Sequence, residues 1–364
     1  MANSENFTDA TWQNNYKLAA EASIDGFALN IGHSDPRYET LIASAFRNAA
    51  ISKFPVFLNF DYAAGGVWPI ENIVLLIKQY RDHQYYYKYQ SKPLVATFEG
   101  YDRASDWPTI KAQAGSIFFM PQWSSVPPYA QISIAGIDGL TSWDAWPAGN
   151  NKMYSQNDAT YMGALKTVNK PYMMPVSPWF FTRMPNYDKN WAWKGDSLWY
   201  DRWTQVLHKQ PEFVQIISWN DFGESHYIGP LDEGQYAAFD SNHGNSPYNY
   251  ARGMPHDAWR KHLPYLIAMY KNRATTINQE RTVAWFRTTS LTNAACNPGG
   301  TTGNAPAKCS LISVHIADSA NGFQSKRRTE SPRSWRIRCS FLCYLAPPQL
   351  SRSPLVGFRF LLHG

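Results

Sequence analysis

The chain has no run of about 18 consecutive apolar residues, so no segment reads as a membrane-spanning helix. It has no cysteine before Cys296. Its four cysteines, Cys296, Cys309, Cys339 and Cys343, match no strong zinc-binding spacing. No glycine-rich phosphate loop follows a strand-like segment, which disfavours a nucleotide-binding fold. Charged residues make up only 17 %, and the formal charge of +6 is unevenly placed. Residues 325–364 hold eight Lys/Arg against one acid, Glu330. The rest of the chain is therefore close to neutral and offers no basic face for nucleic acid. The polar start, MANSENFTDATW, contains no apolar signal-peptide core.

Aromatic residues are abundant: 15 Trp, 22 Tyr and 19 Phe in 364 residues. A large aromatic core would use them. So would a cleft whose flat rings stack on the apolar C–H faces of sugars. Asn6-Phe7-Thr8 is a glycosylation sequon. Cys296 and Cys309 flank a Gly/Pro/Thr/Asn-rich loop, and a disulfide there would fit secretion. Two reduced thiols remain the alternative.

Along the chain, apolar runs alternate with amphipathic ones. A first helix starts at Thr8 or Asp9. Buried-strand patterns are predicted at Phe27–Ile31, Phe54–Phe60, Pro93–Phe98, Ser116–Met120, Gly139–Trp143, Tyr172–Val176 and Phe213–Trp219. Helical spacing is clear over Arg37–Ala49, Ile70–Arg81, Thr160–Val168, Leu198–His208 and Asp257–Lys271. This alternation predicts a parallel sheet with helices outside it. Seven strands after an opening helix predict a (β/α)8 TIM barrel lacking its first strand; an open doubly wound sheet is the alternative. Residues 1–273 form this barrel domain. Residues 274–324 read as a partial β-sandwich-like appendage, with strands at Thr276–Trp285 and Ser310–Ile316. Residues 325–364 read as a basic tail, disordered or a translation artefact.

In such barrels the chemistry sits at the C-terminal ends of the strands. The acids there are Asp61, Glu99, Asp144, Asp221 and Glu224, and the nearby tryptophans are Trp123, Trp143, Trp146 and Trp179. Glycoside hydrolysis needs one protonated carboxyl for the leaving oxygen and one ionised carboxyl to attack or to activate water. The stretch Trp219–Tyr227 is the sharpest candidate. Gly223 permits a bend between Asp221 and Glu224, and Trp219, Asn220 and His226 flank the pair. Acids in the first turn of a helix are the competing reading. Asp61 and Glu99 either bind sugar hydroxyls or satisfy loop amides. Asp144 lines a sugar subsite or lies in a surface loop. His226 is a loop residue or a catalytic one. Asp25 precedes its strand and reads as structural.

These segments carry a resemblance. FALNIGHSDP (27–36), FPVFLNFDYAAGG (54–66), PLVATFEG (93–100), FFMPQWSS (118–125), DGLTSWDAWP (138–147), MMPVSPWFFT (173–182) and IISWNDFGESHYIGPL (216–231) resemble, in order, the strand segments of the fungal endo-α-1,3-glucanases (mutanases) of glycoside hydrolase family 71. The likeness runs from about residue 9 to about residue 322. It implies a (β/α)8 barrel, endo-cleavage of α-1,3-glucan with inversion, secretion, a polysaccharide substrate, and neither metal nor organic cofactor. It also implies no membrane or nucleic-acid partner, and a monomer is expected. Carried over, the acids are Asp221 and Glu224, with Glu224 as general acid and Asp221 as base. Inversion would set their carboxyls roughly 6.5–9.5 Å apart. Asp61, Glu99, Trp123, Trp143, Asp144, Trp146, Trp179, Trp219, Asn220 and His226 are the substrate-binding candidates. Family members carry a signal peptide and a first strand ahead of the segment matching Phe7–Trp12, and neither is seen here. A non-catalytic glucan-binding barrel, or a glycosidase of another linkage, are the alternatives.

Overall fold

The computed structural model of the chain describes residues 2–147, 151–195 and 197–273, with the backbone of 282–285 and 340–343. The first helix, α1 (Asp9–Glu21), is capped as the sequence predicts: the Thr8 hydroxyl accepts from the Thr11 N–H at 3.1 Å. Strand and helix then alternate through β1 (Phe27–Gly32), α2 (Tyr38–Ser52), β2 (Val56–Asp61) and α3 (Ile70–Tyr80). The two-residue β3 (Lys88–Tyr89) pairs antiparallel with β4 (Lys92–Phe98), and α4 (Trp107–Ala114) leads to β5 (Phe118–Gln122). Next come α5 (Pro128–Gln131), β6 (Leu140–Thr141), α6 (Gln156–Thr167) and β7 (Tyr172–Val176). An antiparallel ribbon, β8 (Phe180–Met184) with β9 (Lys189–Trp193), is inserted before α7 (Leu198–Lys209) and β10 (Phe213–Ile216). Two short helices, α8 (Asp257–Lys261) and α9 (Leu263–Tyr270), follow.

The main sheet runs β1-β2-β4-β5-β6-β7-β10, each neighbour parallel to the next. Sequence order is kept throughout, as right-handed βα units require. Every residue of β2, β5 and β7 is buried, because helices cover one face and the curled interior covers the other. Each fully buried side chain such as Leu58 or Phe60 contributes about 1.5–3 kcal/mol. The helices present matching faces: Ile73, Val74, Leu76, Ile77 and Tyr80 of α3 all point inward.

The two ends of the sheet differ from its middle. Among the described residues no strand joins β10 to β1, and all four residues of β10 are only partly buried. A cavity of about 750 Å³ lies between these edges. It runs from Asp221 and His226 past Asn30, Asn59 and Gln215 to Asp25 and Glu212 at the far end. The predicted helix over Asp257–Lys271 is two helices, α8 and α9, meeting at His262 with Pro264 in the first turn of α9. Gly139–Trp143 shortens to the two residues of β6. Beyond the barrel, β11 (Thr282–Trp285) pairs antiparallel with β12 (Ser340–Cys343), which falls inside the stretch read as a tail. The expected strand Ser310–Ile316 and the Cys296–Cys309 loop lie outside the described residues.

Candidate active site

The stretch after β10 folds into a closed loop. Ser218 N donates to His226 O (2.9 Å), Ile228 N to Ser218 O (3.0 Å) and Gly229 N to Trp219 O (2.7 Å), so its two ends are laced together. Inside the loop, Asp221 Oδ1 accepts from Glu224 N at 2.9 Å. Ser225 takes a left-handed conformation (φ 61°), which turns the chain between Glu224 and His226. As a result one oxygen of Asp221, one of Glu224 and one ring nitrogen of His226 lie within 4.8 Å of one another. This is closer than the separation expected for two inverting carboxyls parted by a water. Gly223 does not supply the predicted bend through a left-handed φ; instead it brings the loop close to the ribbon, where a Cβ would sit 2.9 Å from the movable Met184 sulfur.

The two carboxyls differ in their partners. Lys189 Nζ approaches Glu224 Oε1 at 2.5 Å, and His226 Nε2 approaches Glu224 Oε2 at 2.9 Å. Burial would raise the Glu224 carboxyl, but the His226 hydrogen bond and the Lys189 ammonium outweigh it and take it down to about 2. Asp221 contacts neither Lys189 nor His226 directly. Burial, and then the charge of Glu224, push it up, against weaker pulls from His226 and Lys189. Lys189 is held charged: burial would lower it, but Glu224, Asp221 and Asp61 together raise it.

The other sequence candidates separate into three groups. Asp61 is buried at the end of β2, where it accepts from Ala63 N (2.9 Å), Ala64 N (2.8 Å) and Asn30 Nδ2 (2.9 Å). It satisfies loop amides and faces Lys189 as well. Glu99, in a left-handed backbone conformation (φ 55°), accepts from Ser124 N at 3.2 Å. Asp144 is half-buried, and burial raises its carboxyl, against a hydrogen bond from Asn157 and the charge of Arg202.

Among the tryptophans, Trp143 is partly buried and lines the cavity. Trp146 stacks between Trp193 (5.0 Å) and His226 (5.4 Å). Trp179 donates to Ser225 O at 2.6 Å, bracing the loop from behind. Trp123 is a correction. It is 0 % exposed, packed edge-on against Tyr101 and Phe119, and no sugar reaches its face. Trp219 and Asn220 line the cavity but spend their polar atoms on the N-terminal segment: Trp219 Nε1 donates to Asn15 Oδ1 (2.6 Å) and Asn220 Nδ2 to Asn3 O (3.0 Å). Asp25 pairs with Lys271 at the opposite end, as a structural reading requires.

Comparison with known proteins identifies the family. The model of glycosyl hydrolase family 71 matches residues 1–321. The chain belongs to glycosyl hydrolase family 71. It is 34 % identical over 306 residues to glucan endo-1,3-alpha-glucosidase agn1 of Schizosaccharomyces pombe, covering 79 % of this chain and 69 % of that protein. It is 34 % identical over 312 residues to mutanase Pc12g07500 of Penicillium rubens, covering 84 % and 67 %. The ascus wall endo-1,3-alpha-glucanase of S. pombe is 30 % identical over 286 residues, covering 74 % and 64 %. Among solved structures, the family 99 endo-alpha-mannosidase of Bacteroides thetaiotaomicron superposes with a TM-score of 0.58 at 16 % identity, covering 74 % of this chain and 85 % of that one. That likeness supports the barrel architecture alone.

Within this family 71 chain, sequence reasoning missed Lys189, Ser218 and the ribbon that carries Lys189. Lys189 is 35 residues from Glu224, inside a hairpin that none of the predicted elements covers, and nothing local marks it. Asn30 and Asn59 were also passed over. They are register partners on β1 and β2, and Asn59 Nδ2 donates to Asn30 Oδ1 at 2.6 Å. A polar residue at matched positions of two apolar strands was a readable signal, since a buried amide needs a partner. No helix among the described residues is long and apolar enough to cross a membrane.

Proposed function

We propose that the chain hydrolyses internal α-1,3-glucosidic bonds of fungal cell-wall α-glucan, with Asp221 and Glu224 as its two working carboxyls. The observation that carries this is the unlike surroundings of the two groups within one short loop. Glu224 is held ionised by His226 and Lys189, whereas Asp221 is buried beside that negative charge without a cation of its own. Two carboxyls pushed apart in this way divide into an acid and an ionised partner. Asp221 then protonates the leaving oxygen, and Glu224 is the carboxylate that directs water. This reverses the roles expected from the sequence, and the reason is the His226 hydrogen bond together with the charge of Lys189, which the sequence did not place. Family membership and the names of three relatives support the α-1,3-glucan substrate and an extracellular or cell-wall setting. A non-catalytic glucan-binding barrel would have no need of two carboxyls whose proton affinities are pushed in opposite directions.

The test is reducing-end release from insoluble α-1,3-glucan, beside β-1,3-glucan and starch. Cleavage of the α-1,3-glucan alone is expected. Asp221→Asn and Glu224→Gln should each lower kcat by about 10²–10⁴-fold, the usual worth of a general acid or base. NMR of the first-formed anomer belongs in the same assay. A β-anomer would mean inversion, which requires the pair to part as substrate enters. An α-anomer would mean that the close spacing is the working one. Full activity in both variants would remove this pair and with it the proposed site.

A further inference from the structure

We propose that Lys189 is a positioning residue that acts through Glu224, fixing it as the charged member of the pair and leaving the proton of the site to Asp221. This rests on Asp221 and Glu224 being the working carboxyls, and it names the group that makes them unlike.

The hydrogen-bond chain on the other side of Glu224 locks His226 in place. His226 Nδ1 lies 2.8 Å from the Ser218 hydroxyl, and that hydroxyl accepts from Asp221 N at 2.9 Å. The other ring nitrogen, Nε2, lies 2.9 Å from Glu224 Oε2. Both nitrogens are thus engaged, and the ring orients Glu224 from the side opposite Lys189. The fixed positive charge in contact with the pair is the Lys189 ammonium, and Asp221, Glu224 and Asp61 all face it.

The ribbon is seated for this purpose. Phe181 N donates to Glu224 O (3.3 Å), Arg183 N to the Tyr250 hydroxyl (3.1 Å), and that hydroxyl to Gly223 O (2.6 Å). Lys189 pairs in register with Met184, whose sulfur packs on Gly223. Thus the strand opposite Lys189 is fastened to the same two loop residues, Gly223 and Glu224, that the ammonium must reach. An ordinary surface ion pair has no such seating and no second donor on the far carboxylate oxygen.

The experiment compares the full chain with Lys189→Met and Lys189→Arg. It reads pH profiles of kcat and KM on α-1,3-gluco-oligosaccharides, and the titration of the Glu224 carboxyl by ¹³C NMR, assigned with Glu224→Gln. For Lys189→Met we expect kcat to fall about 10- to 100-fold with KM little changed. The acidic limb and the Glu224 titration should both move up by about one pH unit or more. Lys189→Arg should restore most of both, because it restores the charge. An unmoved Glu224 titration in Lys189→Met would overturn the proposal, whatever happens to turnover. So would an Arg variant as impaired as the Met one. If the unaltered chain cuts no α-1,3-glucan, the functional reading fails on that result, and the NMR titration still decides the role of Lys189.

Discussion

Two of the ion pairs among the described residues, one sealed and one open, follow opposite plans. Arg202 on α7 and Asp158 on α6 are closed to water, at 0 % and 1 % exposure. Two contacts of 2.7 and 3.1 Å join them, Arg202 Nε donates to Pro175 O (3.1 Å), and the Tyr172 hydroxyl donates to Asp158 (3.0 Å). The pair ties two helices to β7. Lys189 and Glu224 stand at the barrel mouth instead, 34 % and 13 % exposed, with one contact between them. The difference teaches where each charge does its work. A sealed pair binds elements together, since removing one partner strands a charge in the interior. An open pair can set the charge of its partner while adding less to stability.

The largest expected effect falls on the sealed pair. Arg202→Met should cost about 3–5 kcal/mol, measured by urea unfolding, because Asp158 would remain buried without its cation. A loss below about 1 kcal/mol would mean that Asp158 simply takes up a proton, and the contrast between the two pairs would collapse.

A second interior group sharpens the contrast through pH. His256 is buried against Tyr227 (3.8 Å, stacked) and its Nδ1 lies 2.8 Å from Tyr227 O. Burial, with a smaller push from His226, lowers it from 6.5 to about 3, against the pull of the Tyr227 carbonyl. Between those values the unfolded chain binds a proton that the folded chain refuses. Stability is therefore complete above pH 6.5 and falls as pH drops, by about 1.4 kcal/mol per pH unit. Glu224, depressed to about 2, adds its own loss in the same direction only below about 4.5. In the window from 6.5 to 4.5 His256 acts together with His83, which burial also lowers, and against the raised carboxyls of Asp221 and Asp144. His256→Asn keeps a donor for the carbonyl and has no proton to gain. Urea midpoints across that window should therefore fall less steeply with decreasing pH in the variant than in the parent chain.

Much of the barrel was legible because its signals are local. Val56–Asp61 reads as a buried strand, Thr8 as a cap, and Ile70–Tyr80 as an amphipathic helix, each from a few adjacent residues. The loop from Trp219 to Tyr227 was legible for the same reason: Asp221, Glu224 and His226 lie within one short stretch. The ribbon was not. The residue types FFTRM and KNWAW do not alternate apolar with polar, although β8 buries every second side chain, and the hairpin's meaning depends on what it touches. The exchange of acid and base proposed above was not readable there either, since it turns on a lysine brought in from another element. Trp123 misled for the converse reason. A strand-end position is shared by rings that face the mouth and rings that face the helices, and only packing separates them.

The smallest expected effect lies on the open pair, and it bears most directly on the proposed role of Lys189. Lys189→Met should lower unfolding free energy at neutral pH by about 1–2 kcal/mol, roughly the worth of the expected one-unit shift of Glu224, because the ammonium is a third exposed and its aliphatic stem is kept. Paired with a clear change in the Glu224 titration, that result would separate tuning from bracing. A loss approaching that of Arg202→Met would say otherwise. It would mean that the ribbon is held to the loop by this contact rather than by Phe181, Arg183 and Tyr250, and any fall in turnover would then follow from a displaced ribbon. The backbone contacts argue for the first outcome. Phe181 N and Arg183 N remain fastened to Glu224 O and Tyr250 whatever side chain stands at position 189.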